Sequence, residues 1–229
     1  MRLNKVYVFS ASFAYSAVKD SKGGYMHISE GVLSAPVLIT GAAITAVFVG
    51  FGLKKMDYDK IPEVAILSSA FFVASLIHVP IGPSSVHLIL NGIAGILLGI
   101  AAFPAILVAL VLQAILFQFG GITTLGVNTL NMALPALICF CLFSHGVKHE
   151  NTVIALGSAF GCGFTSVLLG GIMVALSLVF AGESFIEVAK LVVIVHLPVM
   201  IIEGILTAFC IGFLRKVRPE ILGGLHEKG

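Results

Sequence analysis

Tryptophan is missing from this chain, charged residues make up only 10% of it, and no Gly-x-x-x-x-Gly-Lys-Ser/Thr phosphate loop occurs in its 229 residues. Each absence excludes something. Any aromatic belt at a membrane boundary has to be built from tyrosine and phenylalanine. The chain is not an ATPase of the phosphate-loop kind, so energy for an active process must come from elsewhere. So few charges cannot cover a soluble domain of this size, and no basic run is present to grip nucleic acid. The four cysteines, Cys139, Cys141, Cys162 and Cys210, lie in apolar segments without Cys-x-x-Cys spacing, which points to packing rather than zinc or disulfides. No His-Glu-x-x-His or comparable base-and-ligand pair appears, so neither an enzyme nor a resident cofactor is expected.

What is present is hydrophobic: 59% of residues are apolar and the mean hydropathy is +1.11. Repeated apolar runs of about 18 residues or more match helices that cross a hydrocarbon core of roughly 30 Å, and they lack the alternation of barrel strands. The expected fold is an all-α, multi-pass bundle of about seven transmembrane helices in the cell membrane, in contact with the lipid bilayer on its outer surface. The runs lie near Val32–Leu53, Ile61–Val79, Val86–Ile100, Pro104–Phe119, Met132–Phe143, Val153–Phe180 and Val188–Leu214. Threaded this way, Lys54, Lys55, Lys60, Lys148, Arg215, Lys216, Arg218 and Lys228 fall on one face and Lys190 on the other. Basic residues mark the cytoplasmic side, which puts Met26 outside and the C-terminus in the cytoplasm. The expected organisation is a leader or mis-assigned start over 1–25, a transmembrane domain over 26–218 and a cytoplasmic tail over 219–229.

The first 25 residues join a basic start, "MRLNK", to a short apolar stretch and a polar "KDSKGG", the pattern of a removable leader. Alternatively, translation begins at Met26. Either route frees the Met26 amine in front of His27. That amine, the His27 amide nitrogen and the His27 imidazole Nδ1 can close two fused chelate rings around one ion. A deprotonated amide favours ions that accept tetragonal nitrogen geometry, chiefly Cu(II) and Ni(II), with Co(II) also possible. Such binding releases protons, so affinity should fall with pH. A fourth nitrogen would have to come from the same face. "HVPIGPSSVHLILNG" offers His87, read as opening the third helix, and His78, near the end of the second.

Other polar groups could support such a site. "GGITTLGVNTLNM" reads as a loop in which Asn128 and Asn131 could hydrogen-bond a ligating imidazole or the N-terminal segment. Glu30, close behind His27, could fix the terminal loop. His196 and Glu203 share one face of the last helix, and ionisable groups there are costly without partners. They suggest either a proton or ion path, or a structural bond for His196 and a partner contact for Glu203. Ala42, Ala46 and Gly50 recur every four residues on the first helix, a spacing that permits close helix approach.

Taken together, "MHISEGVLS", "HVPIGPSSVHLILNGIAGILLG", "FQFGGITTLGVNTLNMALP" and "HLPVMIIEGILTAF" resemble the CbiM/NikM family. These are the substrate-capture components of energy-coupling-factor transporters for cobalt and nickel. The resemblance implies a seven-helix bundle with its N-terminus tucked into the outer half and a metal held by Met26, His27 and His87. Glu30, His78, Ser85, Asn128 and Asn131 stand as supporting candidates. It further implies Co(II) or Ni(II) as cargo, a membrane coupling subunit, two cytoplasmic ATPases and sometimes a small accessory membrane subunit, with cobalamin biosynthesis as the consumer. The rival reading is a self-sufficient proton-coupled transporter or channel built on His196 and Glu203.

Overall fold

The computed structural model describes residues 28–57, 59, 61–81, 84–182, 186, 194 and 196–222, without the side chains of 78–86. Apart from one short hairpin, its regular structure is helical. Helices α1 (Ala35–Lys55), α2 (Ile61–Ala74), α3 (Asn91–Leu98), α4 (Ala102–Phe117), α5 (Leu125–Val147), α6 (Thr152–Ala181) and α7 (Leu197–Val217) form the bundle. Between α2 and α3 lie β1 (His78–Ile81) and β2 (Ser84–His87). Five helical stretches are long and apolar enough to cross a membrane, taking 91–117 as one stretch.

Local chemistry sets the ends of these helices. Pro36 stands in the first turn of α1, where its missing N–H costs nothing, and Lys54 and Lys55 close the helix at the negative end of its dipole. Asn151 caps α6 by accepting the Val153 N–H at 2.8 Å. The expected third and fourth spans meet at Gly99, whose φ of +53° breaks the helix through a 3-10 turn. Gly99 and Ile100 lie beside Lys55 and Phe140, whereas Phe117, at the far end of α4, packs on Phe72. The chain therefore doubles back between α3 and α4. With 8 and 14 residues, α3 and α2 reach only about 12 and 21 Å, short of a full crossing.

The hairpin corrects the expectation that helices continue to Val79 and resume at Val86. Pro80 and Pro83 cannot donate to a helix ladder, and the β-branched Val79 and Val86 pair across an antiparallel ribbon instead. His87 therefore ends a strand and does not open a helix. A second correction concerns Asn128 and Asn131, expected in a loop, which lie in the opening turns of α5. The last helix is described only from Leu197, and most of 188–195 lies outside the described residues.

The core runs through Ile89, Phe103, Ile106, Met132 and Met200, with Phe48 stacked on Phe103 at 4.7 Å. Gly163 lets α6 meet α7: a Cβ there would stand 2.5 Å from the Glu203 carbonyl oxygen. Large apolar side chains such as Ile39, Leu142 and Phe209 are exposed, as expected of a lipid-facing surface. One end of the bundle is basic, with Arg215 donating to the carbonyls of Val147 and Glu150 where α5, α6 and α7 meet. The hairpin and residues 28–34 occupy the other end.

Candidate metal site

Met26 and His27 lie outside the described residues. The residue that follows them is tightly held. Ile28 donates its N–H to Asn128 Oδ1 at 3.0 Å, and its carbonyl accepts from Asn128 Nδ2 at 3.1 Å. One amide side chain thus occupies both hydrogen-bonding groups of a single residue, as a neighbouring strand would. Ile28, Val32 and Leu33 pack against Val127 of α5 and Val174 and Leu178 of α6. Glu30 accepts the Thr123 N–H at 3.2 Å and lies against Gly121, so the segment is bonded to the turn that opens α5 as well as to α5 itself.

The second candidate segment is the hairpin exit. His78 and His87 are partners in the ribbon and Ser85 faces Pro80, so the pairing brings both histidine backbones together. His87 is 1% exposed, and its Nδ1 lies 2.9 Å from the Leu88 carbonyl oxygen. A carbonyl can only accept, so in the neutral ring Nδ1 carries the proton and Nε2 the lone pair. The Leu88 N–H donates to Ile77 at 3.2 Å, tying the exit of β2 back to the entry of β1.

Glu203, on α7, completes this region. It is fully buried, and its carboxylate accepts the N–H groups of Ile89 and Leu90, the latter at 3.1 Å to each oxygen. It is therefore no contact for a docking partner. His196 is buried as well, and its carbonyl accepts the Met200 N–H in the first turn of α7.

Asn131 accepts from Ser177 of α6 at 3.3 Å. Its Nδ2, and both polar side-chain atoms of the fully buried Asn91 and Gln113, have no hydrogen-bond partner among the described residues. The sequence reading passed over Asn91 and Gln113, although an amide in an apolar run carries the same signal as a charge there, a polar group that must be satisfied. Among the described residues no group of three His, Cys, Asp or Glu side chains could by itself enclose a metal. A complete site on this scaffold needs ligands from outside that set.

The family model for the cobalt uptake substrate-specific transmembrane region, CbiM, matches residues 27–221. The chain belongs to the CbiM family. A Haemophilus influenzae protein provisionally named a metal transport protein is 41% identical over 199 residues, covering 86% of this chain and 97% of its own. The cobalt transport protein CbiM of Clostridium tetani is 34% identical, covering 88% of this chain and 90% of its own. A fused nickel transport protein NikMN of Rhodobacter capsulatus is also 34% identical, but 64% of it is covered. The crystal structure of a truncated transition metal transporter superposes with a TM-score of 0.62 at 25% identity, covering 85% of this chain and 98% of its own. As a member of the CbiM family, the chain is a multi-pass membrane component of cobalt or nickel uptake.

Proposed function

We propose that this protein captures Co(II) or Ni(II) at the hairpin end of the bundle, using the Met26 amine, the amide nitrogen and imidazole of His27, and Nε2 of His87. The observation that carries this reading is the two-point hold of Asn128 on Ile28, which fixes the chain immediately after His27 in the bundle. The proton position on His87, set by the Leu88 carbonyl, supports the fourth ligand. The family match, which begins at residue 27, is consistent with removal or non-translation of 1–25.

In this reading the hairpin end faces outward and the basic end of the bundle faces the cytoplasm, following the bias of lysine and arginine. The protein acts as the substrate-binding subunit of an energy-coupling-factor importer, with a membrane coupling subunit and two ATPases on separate chains, and supplies metal for cobalamin synthesis. The fused nickel transport relative, with about a third of its length beyond the matched region, supports a membrane partner for this component. Ala42, Ala46 and Gly50 are exposed on α1, where a partner helix could approach closely.

The test pairs N-terminal sequencing and intact mass of the purified mature protein with Co(II) or Ni(II) bound per chain. A chain starting at Met26 with one tightly held ion is the expected result. Equally tight binding by a chain that retains 1–25 overturns the terminal chelate. Sustained gradient-driven metal uptake by vesicles containing this chain alone overturns the capture-subunit role.

A further inference from the structure

Glu203 is a carboxylate in an apolar helix, where an ionisable group is costly unless it is bonded. Its bonds are to backbone contributed by residues more than a hundred positions earlier in the chain. These donors sit at the cap of a helix and one residue ahead of it, where no intrahelical acceptor serves them. Helix α3 begins at Asn91, its first internal bond runs from the Ala94 N–H to the Leu90 carbonyl, and the N–H groups of Ile89 and Leu90 precede it. Leu90 also takes a left-handed φ of +54°, which a leucine adopts only when its surroundings impose it.

One peptide plane connects this carboxylate to His87. The carbonyl of Leu88 and the N–H of Ile89 belong to the same rigid amide. The carbonyl bonds His87 Nδ1 and the N–H bonds Glu203 Oε1. An anion on the N–H side polarises the amide and makes its oxygen a stronger acceptor, in the way hydrogen-bonded groups chain together. It also fixes the direction in which that oxygen points. Metal-ligating histidines are commonly oriented and made more basic by the acceptor on their other nitrogen.

We infer that Glu203 is a positioning residue for the metal site: acting through the Leu88–Ile89 peptide, it fixes the tautomer and orientation of His87 so that Nε2 faces the ion. This rests on the reading of His87 as a ligand given above. It assigns the intramembrane carboxylate a role in capture that requires no proton movement.

The experiment uses the mature protein and Ni(II) alone, and reads the absorption of the bound ion, which reports the nitrogen set, together with affinity. His87→Ala is the reference. Glu203→Gln removes the charge at nearly constant shape. Leu90→Gly/Glu203→Gln also relieves the left-handed turn, keeping the fold accessible if the single variant is unstable. The expected result is that Glu203→Gln shifts the spectrum toward that of His87→Ala and weakens binding by about tenfold. The shift should persist in Leu90→Gly/Glu203→Gln, and His87→Ala/Glu203→Gln should bind no worse than His87→Ala, as for residues acting through one another. A wild-type spectrum in Glu203→Gln, with His87→Ala altered, overturns the positioning role. Recovery of the wild-type spectrum in Leu90→Gly/Glu203→Gln overturns it in favour of simple support of the turn. A wild-type spectrum and affinity in His87→Ala overturns the ligand reading itself.

Discussion

Asn128 and Glu203 both hold a short stretch of backbone beside a candidate ligand, and they differ in kind. Asn128 is an amide that donates once to the Ile28 backbone and accepts once from it, whereas Glu203 accepts from two N–H groups. The difference follows from what each stretch leaves open. Ile28 precedes a turn and has both its N–H and its carbonyl to satisfy. At Leu90 the carbonyl is already taken by Ala94, so donors remain, and an acceptor-only carboxylate matches them. Neither anchor can replace the other.

The comparison is tested most severely at the ligand itself. His87→Ala removes one of the four proposed nitrogen ligands, and Co(II) or Ni(II) affinity is expected to fall by about tenfold or more, measured by competition with a chromogenic chelator. Exchanging the kind of anchor comes next. Asn128→Asp turns a donor facing the Ile28 carbonyl into an acceptor, leaving that carbonyl unsatisfied at about 1–3 kcal/mol, and affinity should drop roughly five- to tenfold. Unchanged affinity would mean that Ile28 need not be held for capture. Gly163→Ala acts on Glu203 from behind, because its Cβ would lie 2.5 Å from the Glu203 carbonyl. A stability loss of about 1–3 kcal/mol in thermal unfolding is expected, with affinity reduced by only about threefold. Smallest is Cys162→Ala: the thiol is buried 3.5 Å from the Gly92 carbonyl and touches neither anchor, so metal binding should stay near wild type.

How much of this was legible beforehand varies by region. The helical segments of the long apolar runs showed in the sequence because lipid demands continuous hydrophobicity. The hairpin did not, since Val79, Ile81 and Val86 suit a helix end as well as a strand, and only Pro80 and Pro83 argued against the helix. Asn128 was recognised as a group that could hold the N-terminal segment, but glycines and asparagines disguised the start of α5 as a loop. Glu203 was visible as an isolated charge in an apolar run. Its partner was not, because backbone N–H groups carry no sequence signature and lie over a hundred residues away.

Helix α2, about 21 Å long, stands in a bilayer whose core is roughly 30 Å thick and carries the hairpin directly on its end. On that side either the lipid must thin or the polar ribbon must sink. Acyl-chain length then becomes a mechanical load on the strand that ends at His87, and nickel affinity should differ between nanodiscs of short- and long-chain lipid. Equal affinity in both would show that the rest of the bundle carries the load instead.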